Sequence, residues 1–71
     1  MSIFKVIEVM SNSTSSWEDA TQQAVTEASK TVKNIRSAYV HEQTAKVVDG
    51  KIVEYRINLK LTFEIQHSDK M

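Results

Sequence analysis

The stretch Val53-Glu54-Tyr55-Arg56-Ile57-Asn58-Leu59-Lys60-Leu61-Thr62-Phe63-Glu64-Ile65 alternates without a lapse between apolar residues at odd positions and polar residues at even positions. A period of two places successive side chains on opposite sides of a strand, so the pattern predicts a β-strand with an apolar face and a polar face. At about 3.3 Å per residue this strand spans roughly 43 Å, well beyond the usual strand length. The fold must therefore cover an unusually long apolar face.

A single helix is the best cover that the rest of the chain offers. Apolar side chains recur at helical spacings of three and four, and they are Trp17, Ala20, Ala24, Ala28, Val32 and Ile35. This pattern predicts a helix from Trp17 to about Asn34, with a length of roughly 28 Å at about 1.5 Å per residue. Because the strand is longer than the helix, its remaining apolar face is predicted to contact other copies of the chain.

Both ends of the predicted helix carry capping signals. Ser15 or Ser16 can act as N-cap, and Ser15 with Glu18 forms the sequence pattern of a capping box. Lys30 and Lys33 are placed in the last turns, where the helix dipole favours positive charge.

Two further strands are predicted from the remaining apolar segments. The first covers Ile3 to Met10, and its apolar residues on both faces predict a neighbouring strand on each side. The second covers Ile35 to Val48 and is followed by Asp49-Gly50, a strong signal for a two-residue type I′ turn. The predicted fold is α+β, with the order β-α-β-β and a three-stranded antiparallel sheet wrapped around one helix.

A two-residue turn fixes which residues of the hairpin lie opposite each other. On the apolar face it pairs Ala38 with Leu61 and Val40 with Leu59. The polar-face pairs that it predicts are Gln43 with Arg56, His41 with Asn58, Tyr39 with Lys60, and Ser37 with Thr62. Near the turn the same register pairs Lys46 with Val53 and Glu42 with Ile57. These pairs would place two charged side chains on the apolar face that the helix covers, which is unfavourable. Either a bulge intervenes or this end projects beyond the helix, and projection is the favoured reading.

Length and composition limit the classes of function. A chain of 71 residues is predicted to be one domain, 1–71, and to be marginally stable alone. It has no cysteine and balances nine basic against nine acidic residues, which argues against disulfides and against nucleic acid as a partner. His41 and His67 form no zinc-ligand pattern, and no signal or membrane segment is predicted. The lack of a signal or membrane segment predicts a cytoplasmic protein. The lack of a catalytic motif predicts that it is not an enzyme.

Several short segments occur in an order and spacing typical of one known family. They are Phe4-Lys5-Val6-Ile7-Glu8, Thr14-Ser15-Ser16-Trp17-Glu18-Asp19-Ala20, Ala28-Ser29-Lys30-Thr31 through Asn34-Ile35-Arg36, Glu42-Gln43, Asp49-Gly50-Lys51 and Glu54-Tyr55-Arg56. No segment is specific by itself, but together they make the chain resemble the dodecins. The resemblance implies a hollow homododecamer of β-α-β-β subunits, and it implies FMN or riboflavin as ligand.

The flavin site that the resemblance implies is altered in this sequence. The position of the stacking tryptophan in flavin-binding members is held by Ser37, and the position of a flavin-binding glutamine is held by Arg56. The acidic position on the second strand is retained as Glu42, directly before Gln43, and Tyr39 lies two residues from the lost aromatic. The chain resembles the members without the tryptophan, and its flavin sandwich is predicted to be weakened or absent.

Three functions stay open at this point. The first is a small-ligand binding or storage shell that uses Ser37, Tyr39, Glu42, Gln43 and Arg56. The second is a variant that binds a divalent metal, calcium or magnesium, or an anion, through copies of Glu42 or Arg56 that converge on a symmetry axis. The third is a purely structural assembly. Hydrogen bonds between subunits explain the cluster of Glu42, Gln43 and Arg56 as well as a ligand does.

Overall fold

The structure, a computed structural model, describes residues 2–65, so Met1 and residues 66–71, His67 among them, lie outside the described part. Strand β1 covers Ile3–Ser13, helix α1 covers Trp17–Ala28, and the hairpin strands β2 and β3 cover Ile35–Val48 and Lys51–Ile65. The predicted α+β class and the order β-α-β-β are confirmed. All strand pairs are antiparallel and the sheet order is β1-β3-β2. β1 is therefore an edge strand, and the prediction of a neighbour on each side is wrong within the protomer.

The serine-rich segment continues β1 beyond its predicted end at Met10. The strand runs to Ser13, which is 6% exposed and pairs with Tyr55 of β3. The Ser13 hydroxyl donates to Asp19 Oδ2 at 2.6 Å and accepts from the Ser15 N–H at 2.9 Å. These contacts fix the short connection from the strand to the helix.

Of the two predicted N-caps, Ser15 and Ser16, the structure has Ser16, so that prediction is confirmed, whereas the capping box of Ser15 with Glu18 does not form. Ser16 is the N-cap, and its hydroxyl accepts a hydrogen bond from the Asp19 N–H at 2.9 Å. The pairing of Ser15 with Glu18 is thus wrong by one residue, because Ser15 uses its own N–H to bind Ser13. Asp19 also accepts from Gln23 Nε2 at 2.6 Å.

Asp19 is expected to make the stability of the fold depend on pH in the acidic range. Hydrogen bonds from Ser13 and Gln23 hold the pKa of Asp19 below its ordinary value. A depressed pKa means a contribution to stability that is present above the unfolded-state pKa and is lost as pH falls through the folded-state pKa. We expect Asp19→Asn to flatten the decline of thermal stability below about pH 4. Melting curves across this pH range test it, with Glu18→Gln as control, and equal declines in both variants would contradict it.

The helix is shorter than predicted and ends at Ala28 instead of Asn34. After it the N–H groups of Lys30 and Thr31 bond to carbonyls three residues back, and Asn34 has a φ of 65°. The tighter turn and the left-handed residue redirect the chain into β2 before another α-helical turn can form. Lys30 and Lys33 consequently lie beyond the helix, and Lys30 forms an exposed ion pair with Glu27 at 2.8 Å.

The core lies between the helix and the odd-numbered residues of β3. Its buried members are Ala20, Ala24, Ile57, Leu59 and Leu61. The small alanine side chains let the helix lie close to the sheet, which is why an alanine stripe can serve as the helix's buried face. Trp17 closes one end of this core: its ring packs edge-on against Tyr55 at 4.9 Å and its Nε1 donates to the Thr44 carbonyl at 2.9 Å.

The hairpin begins as predicted and is then interrupted by bulges. Asp49 and Gly50 both have positive φ, and Val48 lies opposite Lys51. Val53 is an extra residue in β3, so Lys46 faces Glu54 and Glu42 faces Asn58. The structure therefore contains the bulge, which was the less favoured of the two predicted explanations. It removes the mismatches of Lys46 and Glu42 with an apolar face.

Two more irregularities lie along β2. His41 is an extra residue in β2, and it restores the predicted register for Val40, Tyr39, Ala38 and Ser37. Arg36 is a second extra residue, near the start of the strand. Between the bulges at Val53 and His41 the predicted pairs are wrong: Thr44, not Gln43, faces Arg56, and Glu42, not His41, faces Asn58.

The hairpin projects well beyond the helix. The helix has 12 residues and β3 has 15, and the described chain measures 60 × 19 × 13 Å. Apolar side chains around the turn stay exposed, namely Val47 at 60%, Val48 at 46%, Ile52 at 50% and Val53 at 42%. One protomer thus leaves a large apolar surface uncovered. Within residues 2–65, no helix is long and apolar enough to cross a membrane.

Candidate functional site

The polar face of the sheet, which consists of the even-numbered residues of β3 and their register partners, carries the candidate site. Because β3 is the central strand, its residues from Tyr55 to Phe63 lie between a residue of β1 and a residue of β2. Three successive rows across the sheet are Glu8-Lys60-Tyr39, Met10-Asn58-Glu42 and Asn12-Arg56-Thr44. The bulge at His41 separates the first row from the second on the β2 side.

Glu42 presents a free carboxylate on this face. The residue is exposed and lies directly opposite Asn58. Within residues 2–65 its carboxylate makes neither an ion pair nor a hydrogen bond. An exposed carboxylate without a partner is available to a cation or to a donor from another molecule.

Arg56 is already engaged by its own strand. Its Nε donates to Glu54 Oε1 at 3.0 Å, and the Arg56 side chain is 51% exposed. An exposed pair of this kind contributes little to stability, on the order of 1 kcal/mol or less. It does cancel the charge of Arg56, which therefore attracts an anion less strongly than a free arginine.

Asn58 is the central residue of the middle row and has an unsatisfied acceptor. Its Oδ1 is buried, and no donor within residues 2–65 reaches it. Buried polar atoms nearly always have a partner, because an unpaired one costs on the order of 1–3 kcal/mol. The sequence analysis did not select Asn58, since it reads as one of several polar residues on an alternating strand.

These side chains border a concave region of about 810 Å³. It contains two of the predicted site residues, Glu42 and Arg56. The remaining residues around it are Met10, Ser11, Asn12, Gln23, Thr44, Lys46, Glu54, Ile57 and Asn58. The sequence missed Thr44 and Asn58 because their positions beside Arg56 and Glu42 depend on the bulge at Val53.

The other predicted site residues lie outside this concave region. Ser37 lies opposite Thr62, and Tyr39 lies opposite Lys60 as predicted. Tyr39 is 63% exposed, and its ring centroid is 6.4 Å from that of His41. Gln43 faces Ile57 and so lies on the other side of the sheet from Glu42. The predicted cluster of Glu42, Gln43 and Arg56 is therefore wrong with respect to Gln43.

A metal site of several acidic or histidine ligands does not occur within one protomer. Among the described residues, no group of three or more His, Cys, Asp or Glu side chains is close enough to hold an ion. Hard cations such as Ca²⁺ take six or more oxygen ligands, among them amide and carbonyl oxygens. A cation at this face therefore requires neutral oxygens, a second copy of the chain, or both.

Comparison with known proteins gives relatives of the same length and fold. The chain is 39% identical over 66 residues to the calcium dodecin of Mycobacterium tuberculosis, with 93% of each sequence covered. The crystal structure of that calcium-chelating protein, which has a calcium-binding site, superposes with a TM-score of 0.77 at 40% identity, covering 97% of this chain and 99% of the other.

Two other dodecins have the same architecture. Dodecin from Streptomyces coelicolor matches with a TM-score of 0.86 and 28% identity, covering 94% of this chain and 96% of its own. A dodecin from Thermus thermophilus matches with a TM-score of 0.88 over 94% of this chain and all of its own, and at 24% identity it supports the fold alone. The sequence profile described as Dodecin matches residues 3–66. With nearly the whole chain matched by profile, sequence and fold, the protein is a member of the dodecin family.

Proposed function

We propose that this dodecin is a homododecameric protein that binds a divalent cation, with calcium preferred, and lacks a flavin sandwich. The main observation behind the cation is the free carboxylate of Glu42 on the polar face of the sheet. The missing flavin sandwich is inferred from Ser37, which occupies the position of the stacking aromatic on the same face. The similarity to a calcium dodecin at 39% identity supports it. Dodecins are small binding proteins, so family membership confirms that the chain is not an enzyme.

The uncovered apolar surface supports the assembly. The four apolar residues at the hairpin turn are each 42–60% exposed, and Met10 on the polar face is 74% exposed. Each fully buried side chain of this size stabilises by about 1.5–3 kcal/mol, which a small marginal domain gains by association. The family resemblance supplies the number of subunits. The cytoplasmic location and the exclusion of nucleic acid and membrane partners stay predictions from sequence.

Weak flavin binding follows from the residues at the altered positions. Loss of an aromatic platform removes about 1–3 kcal/mol for each stacked ring. Tyr39 does not replace it in the protomer, since its ring lies near His41 instead of the concave region. Arg56 offers only donors, and one of these already binds Glu54. FMN and riboflavin are thus the less favoured ligands, and a purely structural assembly remains if no ligand binds.

Calorimetry on the intact oligomer tests the cation directly. After dialysis against a chelator, titration with Ca²⁺ is expected to give a saturable signal, and Mg²⁺ is expected to bind more weakly because it requires a stricter geometry. Riboflavin added to a parallel sample at tens of micromolar is expected to show no fluorescence quenching. Absence of calcium binding at millimolar ion, by calorimetry and by native mass spectrometry, would overturn the proposal.

Restoring the aromatic at Ser37 tests the assignment of that position. Ser37 is exposed and lies opposite Thr62, so a large side chain fits there without entering the core. We expect Ser37→Trp to raise riboflavin affinity by about tenfold or more, in line with one added stacking contact. Fluorescence quenching measures it, and Ser37→Leu controls for added apolar area. Equal affinities of the two variants would show that the position does not stack a flavin.

A further inference from the structure

Residues 46–54 form a hairpin arm in which the sheet has two strands instead of three. The last pair between β1 and β3 is Ser13 with Tyr55. Beyond it, within residues 2–65, only the ends of β2 and β3 and the turn between them continue. A two-stranded ribbon twists more strongly than a wider sheet and is marginally stable by itself. The direction of the arm therefore depends on what supports its base.

The base of the arm lies between two irregularities of the ladder. Val53 is an extra residue of β3 on the side of the turn, and His41 is an extra residue of β2 on the other side. A bulge interrupts the ladder locally and bends the strand that contains it. Backbone pairing alone therefore leaves the angle between the arm and the helix-covered sheet poorly fixed.

Trp17 connects the start of the helix to both strands at this base. Its ring packs edge-on against Tyr55 of β3, with the ring centroids 4.9 Å apart. Its Nε1 donates to the Thr44 carbonyl of β2 at 2.9 Å. Thr44 lies opposite Arg56, and the next residue of β2, Ala45, lies opposite Tyr55. The two contacts of Trp17 thus fall on adjacent pairs of the ladder, one on each strand.

The first turn of the helix is itself held in place, so Trp17 extends from a fixed support. Ser16 caps the helix directly before Trp17. Two residues after Trp17, Asp19 accepts from the Ser13 hydroxyl at 2.6 Å, and Ser13 in turn pairs with Tyr55. The contacts therefore form a closed ring that runs from β3 through β1 and the helix back to β3.

The arm carries the exposed apolar residues around the turn, which are Val47, Val48, Ile52 and Val53. Resting on the proposed function, we infer that Trp17 is a positioning residue, which holds the hairpin arm in the direction that its contact with another copy of the chain requires. The group responsible is the indole N–H, bound to the Thr44 carbonyl. An arm that is fixed before association loses less conformational entropy when the contact forms.

Trp17→Phe tests this inference, because it keeps an aromatic ring beside Tyr55 and removes the N–H donor. We expect its assembly to dissociate at a protein concentration about tenfold or more above that of the wild type, since every subunit loses one hydrogen bond. Mass photometry measures it at a urea concentration that half dissociates the wild type. Tyr55→Phe is the matched control, because it keeps the ring that contacts Trp17, and it is expected to behave as the wild type.

Hydrogen exchange separates positioning from a general loss of packing. In Trp17→Phe the backbone amides of the arm are expected to exchange about threefold faster or more, while those of Leu59 and Leu61 keep the wild-type rate. Trp17 is the only tryptophan of the chain, so its indole N–H can be followed directly. In the wild type this proton is expected to exchange more slowly than that of free tryptophan.

The combination of these results decides the inference. Unchanged assembly of Trp17→Phe, or an equal loss of assembly in Tyr55→Phe, would overturn it while the proposed function stands. Equal acceleration of the arm and core amides would make Trp17 a core residue only, and an indole N–H that exchanges freely in the wild type would remove the bond itself. If the wild type does not assemble, the proposed function fails and this inference fails with it.

Discussion

Leu59→Ala is expected to lower the free energy of unfolding by about 2–5 kcal/mol, because it opens a cavity at the centre of the only buried cluster in residues 2–65. Leu59 is fully buried on β3 and belongs to the cluster with Ala20 and Ala24 of the helix. Those alanines have short side chains that cannot reach into the space left by the leucine. Since a domain of this size is marginally stable, the loss is a large part of the total stability.

Chemical denaturation followed by circular dichroism, at one fixed protein concentration, measures this effect. Thr62→Ala is the control, because Thr62 lies on the same strand but on the polar face and is only partly buried. Its truncation is expected to change stability by about 1 kcal/mol or less. Equal midpoints for the two variants would mean that the helix and β3 do not form the main core.

The double substitution Val47→Lys and Ile52→Lys is expected to dissociate the assembly. These two residues lie opposite each other next to the turn, 60% and 50% exposed on the protomer. If another subunit covers them, two added charges must be desolvated in an apolar contact, at a cost of several kcal/mol. We therefore expect sedimentation velocity to show a species far smaller than the wild-type particle, or unfolded chain.

The control for this variant is Lys51→Gln, which alters the charge at the same turn without touching an apolar side chain. It is expected to sediment as the wild type. An assembly of unchanged mass carrying both lysines would place the turn outside every subunit contact. The excess apolar surface of the protomer would then have to be covered elsewhere, for example at the exposed apolar residues Phe4, Val6 and Met10 of β1.

Sequence periodicity predicted the chain order of the elements, because each element has its own local pattern, but it did not predict that β1 is an edge strand. The alternation of β3, the Asp49-Gly50 turn and the alanine stripe of the helix are local signals; β3 and the turn occur where they were expected, and the helix begins at the predicted Trp17. The end of the helix was missed because the residues after Ala28 continue its apolar spacing to Val32 and Ile35. The chain leaves the helical path there to join the sheet, and that is a tertiary effect.

The candidate site was predictable only in part, for a physical reason. Glu42 and Arg56 were identified, but their neighbours depend on an extra residue at Val53 that shifts the register by one. A shift of one residue exchanges the faces of the sheet, so it moved Gln43 away and brought Thr44 and Asn58 in. The conflict of Lys46 and Glu42 with an apolar face was the sequence signal for this bulge. A bulge and a hairpin that projects beyond the helix were the two predicted explanations of this conflict, and the structure contains both.

The order of the strands has a consequence for how the protein is made. β3 is the last of the four described elements in chain order, yet it is the strand to which both β1 and β2 are bonded. Ile3 cannot pair with Ile65 until β3 has been synthesised. During synthesis β1 therefore stays unpaired and the apolar face of the helix stays uncovered until β3 emerges, and folding is expected to be slow in this long-range step and sensitive to disruption of β3.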